Sequence, residues 1–281
     1  MKRCTWKSLC LLGLLLWLPC AAFAADPNTA PAVAPAPAPA AVAEEADDAA
    51  DLRDPEAMAE LKRASDFLTA LPRFHIKASV VYDVLQEDDR LLQFEKHGDI
   101  YLQRPDRFFA DVFLDDGRHR QFWYDGKMLS LAELSKNLHT RFKAPATIDG
   151  TLDLLEGLFK DPMPVADLFY SDLNPVAERA FEADIVGDSQ VNGRPCKQLA
   201  FRGETVDWQI WVEQGPKPFI RKLVISYREL PGTPQSVALL DLWETPEKFN
   251  EEMFTFAVPA GSQWIDLLVP MPRTAEKGGQ P

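Results

Sequence analysis

The spacing of apolar and polar residues changes along the chain, and each spacing predicts a helix or a strand. Between residues 55 and 71 the apolar side chains recur at helical spacing. They follow Asp54-Pro55-Glu56, in which an acidic cap and a proline mark a helix start. From residue 74 to 86 apolar and polar residues alternate, which is typical of a half-buried strand. A second strand around 92–102 follows an acidic turn.

Two Asp-Gly pairs separate the next apolar runs, and such pairs are the strongest local signal of a β-hairpin. Asp116-Gly117 and Asp125-Gly126 therefore join three predicted antiparallel strands at 107–115, 118–124 and 127–132. The further strands that alternation predicts are 139–143, 183–191, 195–202, 205–213, 219–228 and 235–244.

The pattern is helical between the two groups of strands. Apolar residues from Ile148 to Phe159 form a stripe, and 164–169 and 175–181 are predicted short helices. Strands in meander order with a leading helix and a central helical insert predict an α+β fold. We expect one large curved antiparallel sheet of about 10–11 strands, an unclosed half-barrel with helices covering its concave face.

The first residues form the pattern of a secretory signal peptide. Lys2-Arg3, an apolar stretch from Leu9 to Leu18 and a small-residue end at Ala24 predict cleavage near Ala24. The apolar stretch is shorter than the about 20 residues of a membrane span, so we favour cleavage over a retained anchor. Cys20 would suit a lipoprotein signal, but Trp17 and Pro19 stand where such signals have leucine and a small residue. We expect a periplasmic or secreted protein.

The rest of the chain divides by composition. Residues 25–53 are almost entirely alanine, proline, valine and acidic residues, which predicts an extended, disordered linker. We assign the folded domain to 54–268 and a flexible tail to 269–281.

Charge and cysteine content narrow the function classes. The chain is 46% hydrophobic and 26% charged, with 30 Lys+Arg against 43 Asp+Glu and a net charge of −13. So acidic a chain without a basic run is a poor candidate for binding nucleic acid or an anionic membrane surface. Signal removal leaves one cysteine, Cys196, whose strand pattern favours a small buried residue over a reactive thiol.

No motif of catalysis is present in the sequence. There is no Gly-x-Ser-x-Gly, Ser-x-x-Lys, His-Glu-x-x-His or phosphate-binding glycine loop. His97 and His119 lie in strands that could be neighbours, with Asp99 close by, but solvent-facing strand histidines are the better interpretation. We therefore expect no enzyme activity, no cofactor and no metal.

The apolar faces of the strands raise the question of a cavity. A large twisted sheet leaves a concave face that one helix cannot fill. That face is either a plain core or a pocket for an acyl chain or another apolar group, and the pattern leaves both open. The candidate cavity-lining residues are Tyr82, Phe94, Trp123, Trp208, Ile210, Ile225 and Tyr227.

Six spaced motifs resemble a known family. They are Arg104-Pro105-Asp106-Arg107, Phe122-x-Tyr124-Asp125-Gly126-Lys127, Pro164-x-Ala166-Asp167-Leu168, Val191-x-Gly193-x-Pro195-Cys196-x-x-Leu199-Ala200-Phe201, Val206-Asp207-Trp208-Gln209-Ile210-Trp211 and Phe254-x-Phe256-x-x-Pro259-x-Gly261. In this order they resemble domain-of-unknown-function family 2092, predicted periplasmic proteins similar to the LolA- and LolB-like lipoprotein-carrier superfamily. The resemblance implies a half-barrel plugged by helices. It carries over neither a function nor any binding residue.

Two function hypotheses follow. The first is an exported, non-enzymatic binding protein that holds a lipid, a lipoprotein or another acylated protein, or a different hydrophobic ligand. The alternative is a structural or sensory envelope protein that docks on a protein partner. It would use the sheet edge or the outer face, where Asp207, Gln209 and Trp211 form one row.

Overall fold

The computed structural model describes residues 52–159, 163–173 and 177–266. The predicted signal peptide, most of the predicted linker and the predicted tail lie outside these residues. The strands are β1 (Leu52–Arg53), β2 (Arg73–Leu85), β3 (Leu91–Gln103), β4 (Arg107–Leu114), β5 (His119–Tyr124), β6 (Met128–Glu133), β7 (Leu138–Lys143), β8 (Ala180–Val191), β9 (Arg194–Gly203), β10 (Val206–Glu213), β11 (Ile220–Tyr227), β12 (Gln235–Glu244) and β13 (Gln263–Trp264).

The strands are accompanied by α1 (Pro55–Ala70) and α2 (Ile148–Leu158), and Ala177 and Glu178 are helical as well. The side chain of Asp54 caps α1 by accepting a 2.8 Å hydrogen bond from the Glu56 N–H, as the sequence predicts. Three short 3₁₀ helices are Leu134–Lys136, Ala166–Phe169 and Glu251–Phe254.

The described strands form one unclosed sheet in the order β1-β8-β9-β10-β11-β12-β2-β3-β4-β5-β6-β7-β13. Neighbours are antiparallel, except that β1 pairs with β8 and β13 with β7 in parallel. The predicted α+β half-barrel is thus confirmed. Its described strands exceed the predicted number because two-residue strands such as β1 and β13 are too short to show a period.

Two predicted segments differ from the structure. Leu52–Arg53, at the end of the predicted linker, form β1 against Glu182 and Ala183. The short helix predicted at 175–181 is wrong at its end, because Ala180 and Phe181 already belong to β8. Residues 174–176 lie outside the described part. Ala180 is buried and Phe181 exposed, so the two side chains already follow the alternation of a strand.

The Asp-Gly turns connect the strands as predicted. Gly117 and Gly126 have φ angles of 85° and 87°, a left-handed conformation that glycine adopts at little cost. At Gly126 a Cβ atom would lie 2.7 Å from the Asp106 side chain, so this turn also needs the absence of a side chain.

The helices cover one face of the sheet, called the inner face below. Buried residues of both helices join one hydrophobic cluster with inner strand residues such as Phe74, Tyr124 and Leu240. The helical members of this cluster are Ala57, Leu61, Ala64, Leu68, Ile148, Leu152 and Leu155. The main core therefore lies between the inner face and the helices.

Residues 249–264, called the C-terminal strap, cross the outer face. The Phe249 ring lies 5.7 Å from the Tyr101 ring, and the Phe256 ring 5.1 Å from the Trp123 ring. The strap ends in β13, at the edge of the sheet. It thereby covers part of an aromatic row that alternation alone would leave facing solvent.

Candidate ligand cavity

A cavity of about 140 Å³ lies between the inner face and a helical cover. The cover consists of α2, Phe159 and residues 163–169. The lining residues are Ala78, Val80, Lys96, Gly98, Ile100, Phe108, Ala110, Val112, Leu114, Arg120, Phe122, Leu152, Leu155, Phe159, Met163, Pro164, Val165, Ala166 and Phe169. All except Lys96 and Arg120 are apolar.

Small residues on neighbouring strands create this space. Ala78 on β2 stands opposite Gly98 on β3, and Ala110 on β4 stands opposite Ile100. The side chains of Ala78 and Ala110 are only methyl groups, and they leave room in the cavity that a leucine or phenylalanine would fill. The cavity is therefore a property of these positions on the sheet and of the cover together.

The helical cover is fastened at one side by Arg104. Its two terminal nitrogens donate hydrogen bonds to the carbonyls of Phe169 and Tyr170, at 3.0 and 3.1 Å. Burial lowers the pKa of Arg104, and the nearby Asp149 carboxylate opposes that effect. Arg104 thus ties the 3₁₀ helix at 166–169 to the turn between β3 and β4.

Two carboxylates on α2 join this 3₁₀ segment to the helix. The Tyr170 hydroxyl donates to Asp153 at 2.8 Å, and Ser171 donates its N–H to Asp149 at 3.0 Å. Burial, followed by the hydrogen bond to Asp153, raises the pKa of Tyr170. The two parts of the cover are therefore coupled by contacts at its solvent side.

The cavity has a charged end. The Lys96 ammonium lies 5.0 Å from the Tyr82 ring centre, and the Arg120 guanidinium 5.4 Å from the Phe159 ring centre. The Arg120 Nε–H donates to Glu133 on β6 at 2.8 Å. Burial raises the pKa of Glu133, but hydrogen bonds from Ser135 and Arg120 outweigh it and hold the pKa below its usual value.

Asp167 in the 3₁₀ helix is a second unusual acid. Although the residue keeps exposed surface, desolvation of its carboxyl raises the pKa from 3.8 to about 6. The charge of Glu156 on α2 raises it further, and Arg179 opposes the shift. Protein atoms thus crowd this carboxyl although water still reaches part of the residue.

None of the seven predicted lining residues is among the described residues that line this cavity. Six lie on the inner face. Of these, Tyr82, Trp208, Ile210 and Ile225 are buried in the main core, and Phe94 and Tyr227 pack against it.

Trp123 lies on the outer face instead, against Phe109 and Phe256. The side chains of its neighbours Phe122 and Tyr124 lie on the inner face, because side chains alternate between the two faces along a strand.

Sequence reasoning missed Lys96, Arg120 and the small residues. The signal was present, since Lys96 is in phase with Phe94, Gly98 and Ile100 along the alternating pattern of β3. A charged residue in phase with inward apolar residues indicates a charge directed at the inner face.

The two histidines considered for a metal site, His97 and His119, do not come together. His97 is opposite Phe113, which is opposite His119, so the two histidines are separated by one strand. The His119 Nε2 atom lies 2.6 Å from Asp111. The described residues contain no cluster of three side chains suited to holding a metal ion.

The outer row predicted for docking is less exposed than expected. Trp211 is buried in a small outer cluster with Cys196, Val191 and Val224. Cys196 is buried, as its strand pattern predicts. Among the described residues, no helix combines the length and apolar character of a membrane span.

Comparison with known protein families gives a match over most of the chain. The profile of the family described as "Predicted periplasmic protein (DUF2092)" matches residues 57–268, which confirms the resemblance of the motifs. A comparison with curated proteins gives no match.

The fold is similar to those of several solved structures. Mycobacterium tuberculosis lipoprotein LppX is 12% identical, with 70% of this chain and 100% of that chain covered and a TM-score of 0.45. LolA superfamily protein NE2245 from Nitrosomonas europaea is 10% identical, with 71% and 97% covered and a TM-score of 0.36. The Pseudomonas aeruginosa MucA/MucB complex gives 13% identity, 72% and 61% coverage and a TM-score of 0.38. Likenesses this distant carry no information about a ligand or partner.

Proposed function

The chain belongs to the DUF2092 family of predicted periplasmic proteins, and we propose that it is an exported, non-enzymatic binding protein. Its ligand is a lipid, an acylated protein or another apolar molecule, held between the inner face and the helical cover. The observation that carries this proposal is the cavity of about 140 Å³ with an almost wholly apolar lining.

The size of the cavity sets a condition on the ligand. An apolar cavity of about 150 Å³ accepts a guest of the size of benzene. A longer acyl chain therefore requires α2 and the 3₁₀ helix to move away from the sheet. The contacts of Arg104, Asp149 and Asp153 that hold this cover are hydrogen bonds to or from charged groups, and none of these bonds joins two strands.

A plain core is the competing interpretation, and the lining argues against it. Protein interiors pack with few voids larger than a water molecule. Here the methyl side chains of Ala78 and Ala110 face a larger void, although a bulkier apolar residue at either position would fill it. An empty apolar space costs stability, whereas a bound apolar group recovers the lost contacts.

The direct test is organic extraction and lipid mass spectrometry of the chain purified from its native envelope without detergent. A stoichiometric lipid or acyl group would support the proposal and name the class of ligand. A chain that carries no extractable lipid and also fails to bind the neutral fluorescent probe N-phenylnaphthylamine would overturn the proposal. A ligand-free chain that cross-links to a specific envelope protein would favour the docking role instead.

Matched variants connect binding to the cavity. Ala110→Phe places a ring in the cavity, and probe affinity should fall at least about tenfold. Ala59→Phe makes the same change at an exposed position of α1 and should leave probe affinity unchanged. Ala78→Leu is a milder filling variant in case Ala110→Phe impairs folding.

Export of the chain and processing of its signal peptide are part of the proposal. We propose cleavage near Ala24 and no lipid on Cys20. Intact mass of the purified chain tests both, because a lipidated Cys20 would add the mass of its acyl groups. A mature chain that begins at Cys20 would contradict this part alone.

A further inference from the structure

A second cavity lies on the outer face of the sheet, across strands β2, β3, β4 and β12, and its volume is about 330 Å³. This space, called the outer cavity below, is lined among others by Lys77, Ser79, His97, Asp99, Phe113 and Asp241. Five of these six side chains carry a charge or a hydrogen-bonding group, whereas the lining of the first cavity is almost wholly apolar. Clefts that bind small molecules have volumes of about 300–1,000 Å³, so the outer cavity has the size of such a site.

The C-terminal strap leaves this part of the outer face open. Its Phe249 packs on Tyr101, and among the described residues that line the outer cavity none belongs to the strap. Phe113 is 47% exposed, although one face of its ring stacks on the His119 ring at 3.8 Å. An aromatic ring that is held on one face and open on the other is suited to stack on a ligand.

An irregularity in β12 brings two neighbouring side chains to the outer cavity. Asp241 is an extra residue between Leu240 and Leu242, whose partners on β2 are adjacent in the chain. Leu240 and Trp243 are both buried in the main core. The two residues between them line the outer cavity instead. Bulges of this kind redirect side chains, and they are common beside active sites.

The charged groups of the outer cavity have partners and can form further hydrogen bonds. The Lys77 ammonium lies 3.5 Å from the Asp99 carboxylate. Asp241 accepts a 2.7 Å hydrogen bond from the Asn192 side chain. An ammonium group has three N–H donors, and a carboxylate accepts about four hydrogen bonds. A ligand can therefore add to these pairs without displacing either partner.

We propose that the outer cavity binds a neutral saccharide. A sugar ring has an apolar face of C–H groups, which stacks on Phe113, and its hydroxyls both donate and accept hydrogen bonds. Those hydroxyls bond to Lys77 and Asp241 while the ring covers Phe113. A ligand with a single charge would match one of these two groups and meet a like charge at the other. The inference goes beyond the proposed function, because the apolar cavity and the outer cavity lie on opposite faces of the sheet.

The test is saturation-transfer difference NMR of the purified chain with maltotriose, cellotriose and chitotriose, each at about 5 mM. At least one of these neutral trisaccharides should bind with a Kd of about 1 mM or lower. Glycylglycine is the charged comparison, because it offers an ammonium and a carboxylate but no ring to stack. It should bind more weakly than the sugar.

Matched variants connect sugar binding to the outer cavity. Phe113→Ala removes the stacking surface and should lower the affinity about fivefold or more, whereas Phe181→Ala, at a residue that is 48% exposed on β8, should not. Lys77→Ala should also weaken binding several-fold. Its control is Lys62→Ala on α1, because each of these exposed lysines pairs with one aspartate. All four variants should bind N-phenylnaphthylamine as the wild-type chain does.

The outcomes separate this inference from the proposed function. Absence of binding by all three trisaccharides would overturn the saccharide site, and so would binding of glycylglycine alone. Sugar binding that is unchanged in both Phe113→Ala and Lys77→Ala would show that the sugar binds elsewhere, and would overturn the assignment to the outer cavity. None of these results touches the apolar cavity, which the neutral probe reports by itself.

Discussion

The Nε–H of Arg120 donates a 2.8 Å hydrogen bond to Glu133, across the paired strands β5 and β6. Both side chains are mostly buried, at 17% and 10% exposed. Because the Glu133 pKa lies below its usual value of 4.5, the pair stabilises the folded chain above that pH. This stabilisation is lost as the pH falls through the depressed folded-state pKa.

We expect Glu133→Gln to lower the free energy of unfolding at pH 7 by about 2 kcal/mol, since Arg120 loses a charged partner. Urea unfolding monitored by circular dichroism measures the change. The difference between variant and wild type should shrink below pH 4.5. A difference independent of pH would contradict the role of the carboxylate charge.

Asp167 predicts a pH dependence of the opposite sign. Its folded-state pKa of about 6 lies above the ordinary 3.8, so the folded chain favours the protonated acid. Stability from this residue is full below about pH 4 and is lost as the pH rises to about 6. Asp167→Asn should therefore raise the melting temperature at pH 7 but not at pH 4. Glu178→Gln, at an exposed position nearby in the chain, is the control.

Arg104→Gln should loosen the helical cover without unfolding the sheet. The variant loses the hydrogen bonds to the Phe169 and Tyr170 carbonyls, at a cost of about 2 kcal/mol. Hydrogen exchange of the Leu168 amide, which donates to the Val165 carbonyl, should accelerate. Exchange in β10 should stay unchanged. Arg141→Gln, an exposed arginine on β7, should have neither effect; equal exchange in both variants would refute the fastening role.

The C-terminal strap contributes to stability through Phe254. Its side chain is 2% exposed and its ring lies 5.9 Å from that of Phe249. Phe254→Ala should destabilise the chain by about 3–5 kcal/mol, as for a buried aromatic residue. Val258→Ala, at a residue that is 62% exposed, should change stability by less than about 0.5 kcal/mol. If urea midpoints of the two variants agree, the strap is only loosely attached.

Local patterns in the sequence were sufficient for most elements. The cap at Asp54, the Asp-Gly turns and the alternation from Phe74 onward each fix a local geometry, and the structure contains all three. The elements that the sequence did not predict are those too short to show a periodic pattern. The strand pair of Gln263–Trp264 with β7 joins residues more than a hundred positions apart, and no local pattern reports such a pairing.

The cavity was harder to place than the fold. Trp123 and Phe122 are equally apolar, and only the phase of the strand decides which one faces the cavity. The strap supplies a second apolar layer over Trp123, so hydrophobicity no longer marks the inner face there. Tyr227 and Trp208 share the inner face but take part in the packed main core, because volume and cover, not polarity, decide where a void remains.

The pairing of β12 with β2 has a consequence for how the chain folds. Strands β2–β7 and β8–β12 are each built from neighbouring hairpins, which close short loops and form early. Within the described sheet, only the pairing of β12 with β2 joins these two groups of strands. During synthesis β2 therefore has a partner on one side alone until nearly the whole chain has left the ribosome. We therefore expect the two half-sheets to join along this pairing only after the hairpins of each half have formed.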